Sequence, residues 1–270
     1  MEPLQLKKRC LGGDPKDPPL VILHGMLGSS RNWATAGTDL ASGYHVWAVD
    51  LRNHGSSPHH PLHTYEAMAA DLEGLRREMD WETMVLLGHS MGGKAAMRYA
   101  CDNPKRVSAL IVVDISPVDH KPYHAVELAA LKDLPLPAIG TRKEADELLS
   151  KAVPDWAMRQ FLLTNLRRSA DGWQWQVNLE ALTGHLADLA RSPLSSGDSY
   201  LGPTLFVRGG QSDFVPDEDI PQAREYFPNS QWQTIPQAGH NVHVEARPDF
   251  ARMVTAFLQE AKEGGASSER

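Results

Sequence analysis

The feature that most constrains this chain is a serine between two glycines, at the junction of a predicted strand and a predicted helix. The apolar run Val85–Leu87 leads directly into Gly88-His89-Ser90-Met91-Gly92, and an alanine-rich stretch continues to Met97. A strand that turns into a helix within a few residues strains the serine backbone and leaves no room for side chains at the two glycines. The pattern predicts a sharp turn with the Ser90 hydroxyl exposed at the positive end of the helix.

Composition and charge exclude several classes of function. The chain has 270 residues, with 27 Lys and Arg against 34 Asp and Glu, a net charge of −7. Because no long basic run is present, nucleic acid is not an expected partner. No apolar run approaches the roughly 20 residues needed for a membrane span, and the N-terminus lacks the features of a targeting signal, so we expect a cytoplasmic protein. Cys10 and Cys101 lie far apart without metal-ligand spacing, which favours reduced thiols.

Strands and helices alternate along much of the sequence. The predicted strands are Leu20–Leu23, Val46–Val49, Val85–Leu87, Leu110–Val113, Leu205–Val207 and Gln231–Ile235. Helical stretches lie between most of them, which predicts an α/β protein whose central sheet is mostly parallel and covered by helices on both faces. In such a sheet the functional groups gather beyond the carboxyl ends of the strands.

The loop after the first of these strands predicts a second part of the same site. It reads His24-Gly25-Met26-Leu27-Gly28, and a His-Gly-x-x-Gly turn bends the backbone sharply. We expect the backbone N–H groups of Met26 and Met91 to point at one spot, as the donors of an oxyanion hole do. The His24 side chain is expected to be buried and hydrogen-bonded as a structural group.

Three further strand-end loops carry a carboxylate or a histidine. Asp114 follows Leu110–Val113, Asp213 lies in the loop after Leu205–Val207, and His240 follows the last predicted strand. A serine hydroxyl becomes nucleophilic when a histidine lies within hydrogen-bond reach and a carboxylate fixes the tautomer of that histidine. Ser90, one of the two aspartates and His240 are therefore the candidate catalytic residues.

Polar side chains between residues 50 and 80 are expected to have structural or solvent-exposed roles and not catalytic ones. Asp50 and Arg52 are expected to brace neighbouring loops through charge-assisted hydrogen bonds. The cluster His59-His60-Pro61-Leu62-His63 has no acid or thiol at ligand spacing, which favours a solvated loop over a metal site. Residues 65–79 form a predicted amphipathic helix with Asp71 on its exposed side.

The alternation stops between residues 117 and 201. Helical patterns follow one another there, at Tyr123–Asp133, Lys143–Ala152, Asp155–Leu166 and Asn178–Ala190. We therefore expect a small helical cap at 117–201, inserted into a core formed by residues 1–116 and 202–262, with a disordered tail at 263–270. Four apolar side chains of the cap are candidates for a substrate pocket, although packing of the cap onto the core explains each of them equally well: Trp156, Phe161, Leu162 and Trp175.

Taken together, the motifs resemble those of the α/β-hydrolase superfamily and, more narrowly, those of small single-domain acyl esterases shared by bacteria and mitochondria. The resemblance extends from about Leu20 to Leu258. It rests on His24-Gly25-x-x-Gly28, Asp50-x-Arg52-Asn53-His54-Gly55-x-Ser57, Gly88-His89-Ser90-Met91-Gly92-Gly93-Lys94, Val113-Asp114-Ile115-Ser116-Pro117 and Ala238-Gly239-His240. It implies Ser90 as nucleophile, His240 as general base and acid, backbone oxyanion donors at Met26 and Met91, and no cofactor or metal.

The acid of this set has two candidates. Most members of the superfamily hold it in the loop after the strand that follows the cap, a pattern that Asp213 fits. Some members of the esterase branch use the aspartate of Asp-Ile-Ser-Pro, which is Asp114 here. We favour Asp114 because the resemblance is to that branch, and we keep Asp213 as the alternative.

The resemblance implies a serine carboxylesterase that hydrolyses short- to medium-chain acyl esters through an acyl-enzyme. Its expected partner is a small-molecule ester, and its expected assembly is a monomer or a small homo-oligomer. The alternatives are an acyl thioesterase and a low-turnover ligand-binding homologue that keeps the fold.

Overall fold

The fold is organised around a seven-stranded sheet. The computed structural model describes residues 2–170 and 172–268. Its strands are β1 (Lys8–Gly12), β2 (Pro19–Leu23), β3 (His45–Val49), β4 (Met84–His89), β5 (Val107–Val113), β6 (Leu166–Ser169), β7 (Gly172–Trp175), β8 (Thr204–Gly209) and β9 (Ser230–Ile235). The sheet has the order β1-β3-β2-β4-β5-β8-β9, and β6 and β7 form a separate hairpin.

All pairs within this sheet are parallel except β1 with β3. The prediction of a mostly parallel sheet is confirmed, and all six predicted strands belong to it. Strand β1 was not predicted because it lies at the edge of the sheet and none of its residues is fully buried, so it lacks an apolar run. Strand β4, which leads to Ser90, is buried along its whole length.

Helices cover both faces of the sheet, as predicted. They are α1 (Ala34–Thr38), α2 (Tyr65–Glu78), α3 (Met91–Asp102), α4 (Ala125–Lys132), α5 (Arg142–Leu149), α6 (Trp156–Leu163), α7 (Leu179–Gly184), α8 (Leu186–Ala190), α9 (Asp219–Tyr226), α10 (Val242–Glu245) and α11 (Arg247–Ser268). One apolar cluster joins the sheet to α2 and α3, and a second joins it to α1 and α11. None of the helices in the described part of the chain is long and apolar enough to cross a membrane.

The inserted segment, residues 117–201, lies between β5 and β8 and has an apolar cluster of its own. That cluster includes Leu128, Leu149, Leu162 and Leu182, and it receives Leu27 from the loop after β2. The segment is not purely helical, since it also contains the hairpin β6–β7. Strands of four residues are too short to show a clear period in sequence, which explains why the hairpin was not predicted.

The last helix is longer than predicted. Helix α11 extends through Ser268, so it includes residues 263–268 of the tail that we expected to be disordered. Adding residues to an existing helix carries no nucleation cost, and this favours continuation of α11 into a small, polar sequence. Residues 269–270 lie outside the described residues.

A buried ion pair corrects two expectations about the polar residues between 50 and 80. Arg52 binds Asp71 with Nε–Oδ2 and Nη2–Oδ1 distances of 2.7 and 2.8 Å, and both side chains are almost fully buried. The prediction that Arg52 braces neighbouring structure is confirmed, whereas the prediction that Asp71 is exposed was wrong. His63, placed in a solvated loop, is also buried, against Asn53. Periodicity alone does not reveal a remote partner that allows a polar group to be buried.

Candidate active site

Ser90 occupies a strained turn between β4 and α3. Its backbone has φ +52° and ψ −121°, and its N–H donates to the Val113 carbonyl at 3.0 Å. A Cβ on Gly88 would lie 2.3 Å from the Gly92 carbonyl oxygen, and one on Gly92 would lie 2.6 Å from the carbonyl oxygens of Leu23 and His24 at the end of β2. The glycines on either side of Ser90 are therefore required by close backbone contacts, as the motif predicted.

His240 and Asp114 are in direct contact, although 126 residues separate them. His240 lies in the loop between β9 and α10, and Asp114 follows β5 with φ +50°. The distance from His240 Nδ1 to Asp114 Oδ2 is 2.8 Å. Because a carboxylate only accepts hydrogen bonds, the proton of a neutral His240 resides on Nδ1 and its Nε2 keeps a free lone pair.

Asp114 is 1% exposed and receives two further hydrogen bonds. The Gly209 N–H donates to Oδ1 at 2.8 Å, and the Ser212 hydroxyl donates to Oδ2. These donors compensate for the loss of water around a buried carboxylate. Ser212 was not predicted as a site residue, and the only available signal was its position beside Asp213 in a strand-end loop.

Asp213, the alternative acid, lies elsewhere. Its side chain is exposed and makes no hydrogen bond or ion pair with any residue that the structure describes. The structure thus brings Asp114, and not Asp213, to His240.

Two aromatic side chains hold His240 in place, and neither was predicted. The Phe214 ring stacks on the His240 ring with centroids 3.8 Å apart and an interplanar angle of 18°. His89 Nε2 donates to the His240 carbonyl oxygen at 2.9 Å, so the residue before Ser90 also fixes the histidine loop. Burial lowers the pKa of His89 well below 6.5, which keeps this ring neutral.

The loop after β2 is held by two buried histidines. His24 Nδ1 donates to the Gly25 carbonyl at 2.8 Å, and its Nε2 accepts from the Leu51 N–H at 3.0 Å. His54 Nε2 accepts from the Leu27 N–H at 3.1 Å. Burial lowers the pKa of both histidines, so each is neutral and has one donating and one accepting nitrogen. The structural role predicted for His24 is confirmed.

Ser90 and His240 line one cavity of about 560 Å³, together with Met26. Ser90 and Met26 also line a smaller cavity of about 40 Å³, to which Met91 contributes. Among the described residues, no acceptor bonds the backbone N–H of Met26 or of Met91. Two free N–H groups therefore belong to residues that surround the Ser90 hydroxyl.

Of the four candidate pocket residues of the inserted segment, only Phe161 lines a cavity that contains Ser90. Leu162 is fully buried in the apolar cluster of the segment. It follows Phe161 in α6, and consecutive residues of a helix lie about 100° apart around its axis, so the two side chains face different surroundings. Trp156 is 65% exposed at the start of α6. Trp175 lines a separate surface groove and donates from Nε1 to the Leu131 carbonyl at 3.1 Å.

Buried histidines make the stability of this fold sensitive to acid. Burial lowers the pKa of five of them, to about 3 for two: His24, His54, His63, His89 and His243. Above pH 6.5, the ordinary pKa, these positions are neutral in the folded and unfolded chains, and below it only the unfolded chain binds protons. We expect each histidine to lower the free energy of unfolding by about 1.4 kcal/mol per pH unit below that value.

Urea unfolding measured between about pH 7.5 and about pH 5 tests this expectation. The His63→Gln variant removes one such group, so the slope of its stability against pH should be smaller by roughly one proton. A wild-type stability that stays constant over this range would contradict the assignment of neutral buried histidines.

The chain is similar to known proteins along most of its length. A family model for the alpha/beta hydrolase fold matches residues 18–246. The sn-1-specific diacylglycerol lipase ABHD11 of Mus musculus is 42% identical over 96% of this chain and 86% of its own length. The esterase YbfF of Escherichia coli is 30% identical over 95% of this chain and 99% of its own length.

Among solved structures, a marine microorganism esterase superposes with a TM-score of 0.91 at 34% identity, covering 94% of this chain and 99% of that one. Both the sequence relatives and this structure span nearly the whole chain, including the inserted segment. The chain therefore belongs to the α/β-hydrolase fold family, among its carboxylic ester hydrolases.

Proposed function

We propose that this protein is a serine carboxylesterase that hydrolyses short- to medium-chain acyl esters, with Ser90 as nucleophile, His240 as general base and acid, and Asp114 as the acid of the triad. The observation that carries the proposal is the 2.8 Å contact between His240 Nδ1 and Asp114 Oδ2, at a cavity that His240 shares with Ser90. The order Ser, Asp, His along the chain is the order found in α/β-hydrolases.

In the first half of the proposed reaction, the Ser90 hydroxyl attacks the carbonyl carbon of the ester while His240 Nε2 takes its proton. The carbonyl oxygen becomes an oxyanion, to which we assign the N–H groups of Met26 and Met91 as donors; both lack another acceptor among the described residues, and both residues line a cavity with Ser90. Asp114 stabilises the imidazolium that forms. His240 then gives the proton to the alcohol oxygen as the carbon–oxygen bond breaks, which leaves an acyl-serine.

The second half repeats these roles with water. His240 takes a proton from water, the resulting hydroxide attacks the acyl carbon, and the same N–H groups stabilise the new oxyanion. Collapse of this intermediate returns the proton to Ser90 and releases the carboxylic acid. Every proton transfer in this scheme uses a side chain of the site or water.

We further propose that the inserted segment acts as a cap over the core formed by residues 1–116 and 202–262. It supplies Ala157, Met158 and Phe161 of α6, together with the polar residues His124 and Asp155, to the larger cavity that Ser90 and His240 also line. Apolar side chains in these positions favour an acyl or alkyl group over a charged one. The mouse relative is named a diacylglycerol lipase, which makes a diacylglycerol a suitable test substrate beside simple esters.

A p-nitrophenyl ester series from acetate to palmitate tests the proposal, with the Ser90→Ala protein as the blank. We expect a Ser90-dependent rate that is highest for short or medium chains and falls for palmitate. A diacylglycerol and an acyl thioester measured in parallel compare substrate classes. If no ester in the series gives a Ser90-dependent rate, the proposal of a carboxylesterase is wrong.

A further inference from the structure

Lys94 is a buried lysine that the proposed reaction does not use. It lies one turn after Ser90 in α3, and its backbone N–H donates to the Ser90 carbonyl at 3.1 Å. Its side chain is only 1% exposed and lines the smaller cavity beside Ser90 and Met91. Burying an ammonium group is costly unless its donors are satisfied, so its partners indicate its role.

The ammonium group uses all three of its donors on backbone carbonyls. Lys94 Nζ lies 2.9 Å from the Val118 oxygen, 3.2 Å from the Ala190 oxygen and 2.6 Å from the Arg191 oxygen. Val118 lies where the chain enters the inserted segment, and Ala190 and Arg191 lie where α8 ends and the chain starts back towards β8. One cation thus contacts both ends of the segment.

Other contacts join these two ends to each other, or join one end to the core, but none of those described below joins both ends to α3. The His120 N–H donates to the Ala190 carbonyl at 2.7 Å, which links the ends without involving α3. Tyr65 of α2 donates to the Leu189 carbonyl at 2.7 Å, and Arg98 of α3 donates to the Pro193 carbonyl at 3.1 Å, so each contacts the returning end only. Lys94 connects both ends directly to the helix that begins after Ser90.

We propose that Lys94 is a positioning residue that fixes both ends of the inserted segment against α3, and thereby sets the shape of the smaller cavity beside Ser90. The carbonyl-bearing residue Ala190 and its neighbour Leu189 line the smaller cavity together with Lys94, so a shift of this end moves a wall of that cavity. The expected change in KM for ester hydrolysis rests on the proposed function, whereas the expected loosening of the two ends of the inserted segment does not.

The electrostatic surroundings make this contact dependent on pH. Burial lowers the pKa of Lys94 to about 7, and the carboxylates of Asp119 and Asp219 oppose that shift only in part. A neutral amine has two N–H donors and a lone pair, so one of the three carbonyls loses its donor when the proton leaves. The other titratable or charged groups that the structure describes around Lys94 include Tyr65, Arg98, His120, Lys121, Tyr123, His124 and Arg191.

The test compares Lys94→Met, which keeps the length of the side chain and removes its donors, with Lys105→Met, which makes the same change at an exposed lysine. At about pH 6.5 we expect Lys94→Met to raise KM for the preferred ester about tenfold, with kcat within about twofold of wild type, because charge-assisted hydrogen bonds are lost. At about pH 8.5 the ratio of the KM of Lys94→Met to that of wild type should become smaller, because the neutral wild-type amine has lost its charge and one of its three donors. Lys105→Met should match wild type at both pH values.

Amide hydrogen exchange provides a readout that does not depend on activity. In Lys94→Met, the amides of residues 118–121 and 189–192 should exchange about tenfold faster than in wild type. In the wild-type protein itself, exchange at these amides should rise between the same two pH values after correction for the intrinsic pH dependence, so the proposal stays testable if the variant does not fold. Unchanged exchange in both comparisons would overturn the proposal, even if ester hydrolysis is absent. If the KM of Lys94→Met exceeds that of wild type by the same factor at both pH values, the proposed role of the ammonium charge is wrong.

Discussion

Replacing Ser90 with alanine is expected to lower kcat for the best ester substrate by about 10⁴- to 10⁶-fold, because the acyl group then has no oxygen to which it can be transferred. The fold should survive, since the Ser90 hydroxyl makes no hydrogen bond within the described residues and the turn is held by the backbone N–H of Ser90. Steady-state kinetics on the purified variant measures the loss, and urea unfolding shows that the comparison is between folded proteins.

A small residual rate is expected in Ser90→Ala, because the variant keeps the N–H groups of Met26 and Met91, the proposed donors to an oxyanion formed by direct attack of water. A loss of less than about tenfold would show that Ser90 is not the nucleophile.

Replacing Asp114 with asparagine is expected to lower kcat by about 10³- to 10⁴-fold. The Asn side chain keeps an oxygen that accepts from the Gly209 N–H, but its NH₂ group then faces His240 Nδ1. Two donors do not bond, so His240 is driven to the tautomer with its proton on Nε2, where it is unable to accept the serine proton.

Asp213→Asn is the matched control, because it makes the same chemical change one residue from Ser212 at an exposed side chain. Its kcat should stay within about threefold of wild type. A large loss in Asp213→Asn with a small one in Asp114→Asn would reverse the assignment of the acid. Equal, small losses in both variants would contradict a single-acid triad.

The parts of the site that were predictable from sequence are those fixed by local sterics. A strand, a strained serine and a helix within a few residues require Gly88 and Gly92, and this requirement is visible without any knowledge of the fold. The positions of Asp114 and His240 at strand ends were predictable for a similar reason, since parallel strands bring their carboxyl ends to one edge of the sheet.

The choice between Asp114 and Asp213 depends on contacts between distant parts of the chain. Both residues follow strands that pair with each other, β5 and β8, so position alone does not separate them. The positive φ of Asp114 and its hydrogen bonds from Gly209 and Ser212 turn that carboxylate towards His240. Neither the backbone angle nor these donors has a sequence signature.

Side chains whose partners lie far away in sequence were misassigned or overlooked. Asp71 sits at a position that resembles an exposed helix face, and only its pairing with Arg52 makes burial possible. Lys94 lies in a motif dominated by small residues, and its role depends on carbonyls from both ends of the inserted segment. The hairpin β6–β7 was missed because its strands are short.

The central claim, that Ser90 is a nucleophile activated by His240 and Asp114, is tested most directly by intact-mass analysis after treatment with a fluorophosphonate. We predict one adduct per chain, located on Ser90 by peptide mapping, with no adduct in Ser90→Ala and labelling slowed by about 10³-fold in Asp114→Asn. Labelling at another residue, or labelling of Asp114→Asn at the wild-type rate, would contradict the account.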